Sequence, residues 1–547
     1  MPIASFETHQ VTNQPPLLAD RNLFLSDPAL CEAVRREGAE PAWDGLVASG
    51  RLAGSSACFE AGRLANDHPP QWRGYDRFGH RRDEIEFHPA WHGILTTLLQ
   101  EGAHAAPWAD PGPGAHVARA ARYVMFSQSD CGALCPVTMT FSAVPVLRRA
   151  GEAVRDWLPR VLSRRYDPRF LPADQKTAAM IGMGMTEKQG GSDVRSNSTV
   201  AIPADGGDGG YLLKGHKWFL SAPMCDAFLV TARAPGGMTC FLLPRWRPDG
   251  TLNAVRIRRL KDKLGNRSNA SAEVEFEDAW ALRVSEEGRG IPTIIEMAAV
   301  TRLDCILGTA GLMRQALSQA AFHAAHRTAF QRRLIDQPLM RGVLADLAVE
   351  TEAAIALGLR LARTFDEDTE ESRALCRVMT PAGKFWVCKR GPAFAAEAME
   401  VLGGAGYVEE APLARIYREM PVNSIWEGSG NVMCLDLLRA LGKGDLAREA
   451  VLAELRPALG METRFDRHVA RLKDDLAVCA EADGRRLAAQ LVLALQAALL
   501  LRSGPAAVAE TFCASRFGGE WGAVAGLPPS GLDPGPIIDR SLPVREW

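Results

Sequence analysis

The 547-residue sequence is short of several things at once. Lysine is scarce: ten of the 63 basic residues are Lys, and none precedes Lys176. Nothing in folding requires that bias, and it reads as genome composition. Neither sign of charge is in excess, with 63 Lys and Arg against 65 Asp and Glu. A net charge of −2 excludes nucleic-acid binding by bulk charge and leaves only a local basic patch for it. Cysteine is thin, with twelve residues scattered singly. The nearest pair, Cys131 and Cys135, has neither C-x-x-C redox spacing nor zinc-ligand spacing. A disulfide scaffold is excluded, and buried thiols in a reducing cytoplasm are expected.

Long apolar runs are missing too. The longest, Leu487–Leu501, spans fifteen residues and contains Gln490 and Gln496, which suits a buried helix and no membrane partner. The start, MPIASFETHQ, has no basic n-region and no apolar core, so no signal peptide is expected. G-x-G-x-x-G after a strand, G-x-x-x-x-G-K-[ST], H-E-x-x-H and G-x-S-x-G are all absent. His323 and His326 lie three apart on a helical pattern without a third ligand, so no metal is expected.

What is present is an ordinary globular chain, 47% hydrophobic and 23% charged, long enough for three or four domains. Residues 1–180 read as helices with long loops: PALCEAVRREGA, HPAWHGILTTLLQ and HVARAARYVMFSQ carry apolar residues three and four apart. Between 181 and 285 the period falls toward two. AEVEFEDA sets Val274 and Phe276 against Glu273, Glu275 and Glu277, a strand with one wet face. Short strands separated by Gly, Pro and Asp turns predict an antiparallel β-domain. Long helical patterns return over 286–445 as a bundle, broken by GGAGY at Gly403–Tyr407, and a further helical extension fills 446–547. The fold class is α+β, with the sheet not of the parallel, helix-alternating kind.

Two segments carry chemistry. IGMGMTEKQGGSDVRSN (181–197) sits where helices give way to strands; Gly190 and Gly191 allow close backbone approach to a ligand, or the segment is an interdomain turn. In SIWEGSGNVMCLDLLRAL (424–441), Glu427 precedes a helix. It either favours the helix dipole or, desolvated beside Trp426 and Ile425, serves as a proton acceptor.

Taken together these segments resemble the acyl-CoA dehydrogenase flavoprotein family over residues 80–445. The ordered motifs are TEKQGGSD, KWFLS, DKLGNRSN, RTAF, EVLGGAGY and WEGSGN. Gln331 stands where the family has Gly, Glu400 where it has Gln, and Trp426 where it has Tyr. Further strings, MTEKQGGSDV, KRGPAFAAEAMEVLGG and REMPVNSIWEGSGN among them, are similar to the family's alkylation-response subgroup, and that likeness runs over almost the whole chain.

The resemblance implies an N-terminal helical domain, a β-domain and a C-terminal four-helix bundle that holds FAD non-covalently, in a homotetramer. By position, Met183, Met185, Thr186, Gly191 and Ser192 line the flavin ring and pyrophosphate, and Phe219 and Ser221 close one ring face. Arg327 and Phe330 reach a neighbouring subunit's FAD, Gly403 and Gly404 its adenosine end, and Ser429 and Asn431 touch the same cofactor. Glu427 is the base that takes the α-proton of an acyl-CoA. The alternative base position of the family holds Thr301 here, beside Arg302. Arg439, twelve residues after Glu427, is expected to project into the substrate pocket or to pair with an acid on the bundle. In the pocket it would slow turnover of ordinary acyl-CoA.

The subgroup is also associated with double-stranded DNA through its extension. From Arg448 to Trp547 there are twelve Lys and Arg against thirteen Asp and Glu. Arg464, Arg467 and Arg471 nevertheless share one helix face, with Lys473, Arg485 and Arg486 nearby. That stripe either meets phosphates or is an ordinary solvated face laced with Asp466, Asp474 and Asp475. The expected function is a weak, isovaleryl-CoA-like dehydrogenase serving the response to DNA alkylation. The alternative is a fully active short- or branched-chain acyl-CoA dehydrogenase with no DNA role.

Overall fold

A computed structural model describes residues 8–204, 209–478, 480–519, 522, 524–527 and 531–543. The leader reading and parts of the Gly/Pro-rich tail fall outside the described residues.

The N-terminal helices form where the apolar spacing placed them, among them Pro28–Arg36, Pro89–Gln100, Ala115–Phe126 and Leu134–Ala150. Asp27 caps the first of these by accepting from Leu30 N, and Pro89 opens the second from N1, where its missing N–H costs nothing. A two-stranded antiparallel hairpin, Gln71–Tyr75 with Arg81–Glu86, interrupts the helices. The helical reading of this region missed it, because its apolar positions are few and split by the turn at Asp76–Gly79.

Seven strands from Ile181 to Arg283 make the central sheet. Val274 and Phe276 are buried, and the Glu273 carboxylate crosses to Arg259 and Lys261, both at 2.6 Å. One feature corrects the antiparallel expectation: Ile181–Gly184 runs parallel to Ala227–Ala234. Parallel neighbours need a long crossover, and residues 185–226 supply one that carries two more strands of the same sheet.

The bundle follows. Its long first helix, Gly290–His326, packs against Pro338–Arg363 and Glu370–Val401. Pro412–Asn423 and Gly430–Leu441 lie against the third helix and are joined by the turn that holds Glu427. A buried knot ties the first helix to the N-terminal domain. Arg119 meets both oxygens of Asp304, at 2.6 and 2.7 Å, and Thr138 donates to Asp304 at 2.7 Å.

In the extension, Gly484–Ser503 is long and apolar enough to cross a membrane. Its most apolar window is 72% buried, however, against the second and third bundle helices. Arg516, 8% exposed, pins the extension to Asp346 and Glu350 of the second bundle helix at 2.7 and 2.8 Å.

Candidate active site

The strand Gly210–Ser221 and the segment before it are locked by a fully buried pair, Lys217 to Glu187 at 2.8 Å. Burial raises the Glu187 carboxyl, but the Lys217 charge and hydrogen bonds from Thr199 and Ser198 outweigh it and bring it to about 2. Neither residue stood out in the sequence, although both lie inside quoted motifs. Their pairing gathers the predicted cofactor residues. Met183 pairs across strands with Ser221, Trp218 N donates to the Thr186 carbonyl at 2.8 Å, and Gly191 lies against Thr186. Met185 is half-buried, Ser192 is exposed, and the Phe219 ring is 45% exposed. Trp218, beside it, packs its face on the Lys261 ammonium, 3.3 Å from the ring centroid.

Glu427 occupies the turn between the last two bundle helices with φ +58, and Gly428 follows at φ +105. A left-handed non-glycine residue costs on the order of 1–3 kcal/mol and persists only where its surroundings over-determine it. Here they do. The Thr301 hydroxyl donates to Glu427 Oε2 at 2.7 Å. Arg302 Nε donates to the Glu427 carbonyl at 3.0 Å, and Lys384 Nζ donates to the Gly428 carbonyl at 2.7 Å. Arg302 also pairs with Asp436 at 2.6 Å, and Arg377 meets both oxygens of the same Asp436 at 2.9 and 2.6 Å. The sequence reading missed Lys384, Arg377 and Asp436; an acid eight and six residues past two turn glycines signals nothing by itself.

A cavity of about 70 Å³ opens beside the carboxylate. Glu427, Thr301, Trp426 and Ser221 line it together with Met139 and three thiols, Cys131, Cys135 and Cys305. Burial pushes all three thiols above their ordinary value, Cys135 to about 12, so they present an apolar, un-ionised wall. Two of them are the nearest cysteine pair of the sequence, which spacing rules had excluded only as redox or zinc ligands.

Other expected residues lie outside this cavity. Arg439 is exposed on the last turn of Gly430–Leu441 and does not line the cavity. Asp436, one turn earlier, takes the inward direction on that helix. The guanidinium at the base is that of Arg302. Ser429 and Asn431 are exposed at the helix start, and Asn431 Oδ1 accepts from Arg485 at 2.8 Å. Arg327 Nη1 donates to the Asn13 carbonyl at 2.6 Å. Phe330 and Gln331, both left-handed, form the two-residue loop of a small hairpin, and Phe330 is 93% exposed. Gly403, at φ +60, and Gly404 have open space beyond their Cα atoms.

The stripe on Thr463–Ala477 is thinner than its spacing implies. Arg464 pairs with Glu462 at 2.9 Å, Arg486 pairs with Asp483 at 3.0 Å, and Arg485 is held by Asn431. Arg467, Arg471 and Lys473 remain exposed, with no ion pair among the described residues.

A middle β-domain meeting a helical bundle, with the Glu427 carboxylate held at a cavity in the bundle, is the arrangement of a dehydrogenase-type flavoenzyme fold. The acyl-CoA dehydrogenase middle-domain model matches residues 182–279, the C-terminal-domain model matches 288–442, and the adaptive response protein AidB N-terminal-domain model matches 13–168. The chain belongs to the acyl-CoA dehydrogenase family, FAD-dependent oxidoreductases acting on CH–CH groups. It is 50% identical over 515 residues to the AidB protein of Escherichia coli, covering 93% of this chain and 94% of that one. The structure of Caenorhabditis elegans ACDH-11 in complex with C11-CoA matches with a TM-score of 0.83 at 26% identity, covering 94% and 93% of the two chains. The acyl-CoA dehydrogenase from Bacillus anthracis complexed with FAD shares the fold, with a TM-score of 0.61 at 19% identity over 78% and 77%.

Proposed function

We propose that the protein oxidises short or branched acyl-CoA thioesters of the isovaleryl-CoA kind, with Glu427 removing the α-proton, as part of an adaptive response to DNA alkylation in the cytoplasm. The observation that carries the chemical reading is the Glu427 carboxylate at the 70 Å³ cavity, with one oxygen tied to Thr301. Its other oxygen is free to accept a proton, and the turn clamped by Arg302 and Lys384 keeps it aimed. FAD, when bound, supplies the acceptor for the hydrogen and electron pair that leave the β-carbon.

The residues present suit that cofactor. The half-exposed Phe219 ring, the buried and unpartnered Trp426 Nε1 and the Ser429 hydroxyl, which caps no helix N–H, are all open to a flat polar partner. Met183, Met185, Thr186, Gly191, Ser192 and Ser221 would hold its ring and pyrophosphate, with Asn431 beside Ser429. Arg327, the exposed Phe330, Gly403 and Gly404 would reach the FAD of a neighbouring subunit in a homotetramer.

The small cavity supports a short acyl group as the substrate. About 70 Å³ holds roughly two or three methylene-sized groups. Slow turnover is therefore assigned to long straight chains rather than to Arg439. The AidB-type N-terminal match supports the adaptive-response role. Anaerobic addition of isovaleryl-CoA to the yellow protein should bleach the flavin band, and octanoyl-CoA should bleach it far more slowly. Glu427→Gln should slow bleaching by about 10³-fold with FAD content unchanged. Rapid bleaching by octanoyl-CoA would refute the size reading.

A second reading, double-stranded DNA binding, is favoured by the three exposed cations Arg467, Arg471 and Lys473, which a tetramer repeats. A mobility shift that weakens with salt, and disappears when the three are changed to Glu, is the expected result. No shift by the native protein at low salt removes this reading.

A further inference from the structure

A second cavity, about 700 Å³, lies away from Glu427. That is a size typical of small-molecule sites. Its walls come from distant parts of the chain: Leu17–Ala19, the helix Ser56–Asp67, the DKLGNRS loop, and the helix Pro412–Asn423 with the residues before it. Four guanidinium groups face it. Arg63 is already paired with Glu60 and Asp67, and Arg418 is bidentate on Glu409. Arg267 reaches, among the described residues, the Asp262 carboxylate at 3.7 Å.

Arg415 is the odd one out. Its Nη1 is buried with no hydrogen-bond partner. On the same helix Glu419 is 4% exposed. Its Oε1 accepts from Asn266 N at 2.7 Å, while Oε2 is buried and unpartnered. Each such orphan costs on the order of 1–3 kcal/mol in a folded protein unless something satisfies it. Both residues that carry these orphans, a donor and a carboxyl, stand on the wall of this cavity. Burial, with Asp130 adding, pushes the Glu419 carboxyl up to about 7. It is therefore largely protonated below that pH and able to donate to an oxygen.

We propose that this cavity is a second ligand site, taking a small molecule whose carboxylate or phosphate pairs with Arg415 and Arg267 and whose apolar body lies along Phe59 and Leu18. A guanidinium matches a two-oxygen anion edge to edge, which Arg415 and Arg267 on the wall of this cavity can offer together. The site also backs onto the catalytic cavity. A void of about 10 Å³ between them has Arg415 and Glu419 on one side and Cys131 on the other, and Cys131 lines the Glu427 cavity as well.

Titration calorimetry on the FAD-loaded protein with octanoate, and separately with inorganic pyrophosphate, tests the site and separates the two anion classes. Saturable binding of one or both, at one site per chain and undisturbed by isovaleryl-CoA, is expected. Arg415→Gln should weaken it about tenfold or more, and Arg267→Ala, at an exposed position, should weaken it as well. If Arg415→Gln does not fold by circular dichroism, Arg267→Ala decides alone. Absence of binding by both probes, equal binding in the folded variants, or displacement by isovaleryl-CoA would each overturn the proposal.

Discussion

The turn that carries Glu427 and the helix face that carries Arg467, Arg471 and Lys473 are built by opposite means. The turn holds a strained backbone, and three side chains from two other helices, Thr301, Arg302 and Lys384, fasten its carboxylate and its carbonyls. The cationic face is relaxed helix. Phe465, Val469 and Leu472 bury its other side, and among the described residues no carboxylate pairs with its charges. The difference teaches where specificity resides. A charge fixed by several neighbours can do positioned chemistry, whereas a solvated stripe offers only attraction that salt screens.

Asp436→Ala should break the turn most severely. It leaves Arg302 and Arg377 facing each other with no anion, at a cost of about 3 kcal/mol or more in denaturant unfolding. Dehydrogenation should fall with it, because Arg302 loses its anchor.

Next comes pH, which acts on the two regions with opposite signs. The folded Glu419 carboxyl, on the helix that leads into the turn, lies near 7 against an ordinary 4.5. The native state there binds the proton more tightly, so stability falls as pH rises from about 4.5 to about 7. Glu419→Gln should flatten that slope by on the order of 2 kcal/mol in melts across the range. In the extension, burial lowers the His468 imidazole below its ordinary value. Its contribution is instead lost as pH falls below about 6.5. Hydrogen exchange at acid and neutral pH should show the extension loosening first on the acid side. Uniform loosening of both regions would erase the contrast.

Thr301→Val keeps the side-chain shape and removes one hydrogen bond to the base. kcat for isovaleryl-CoA should drop about tenfold with KM little changed. A parallel rise in KM would show that Thr301 serves binding instead. The smallest effect belongs to the stripe. Arg467, Arg471 and Lys473 changed to Ala should move unfolding by less than about 0.5 kcal/mol each and leave flavin bleaching untouched.

Local pattern made much of this molecule legible. Val274 and Phe276 alternate with glutamates because a strand has two faces, and Leu487–Leu501 is buried as its apolar run implies. Glu427 was singled out from its turn glycines and the motif around it. The misses share one cause. The hairpin at Gln71–Glu86 is too polar to mark itself. The parallel pairing of Ile181–Gly184 depends on what the following forty residues do, and which residue of Gly430–Leu441 turns inward, Asp436, depends on the helices packed against it.

Sequence alone determined the order of helical, β and helical units, the family, and the residue type at the base, because periodicity and ordered motifs are local or strictly sequential. Tertiary structure alone decided which charges meet. Thr301 reaches Glu427 across 126 residues, Arg302 reaches Asp436 across 134, and Arg485 of the extension is held by Asn431 rather than left free for phosphates. Such partners are chosen by how packed helices dock, and no spacing within one helix encodes the residue that a distant helix will bring to it.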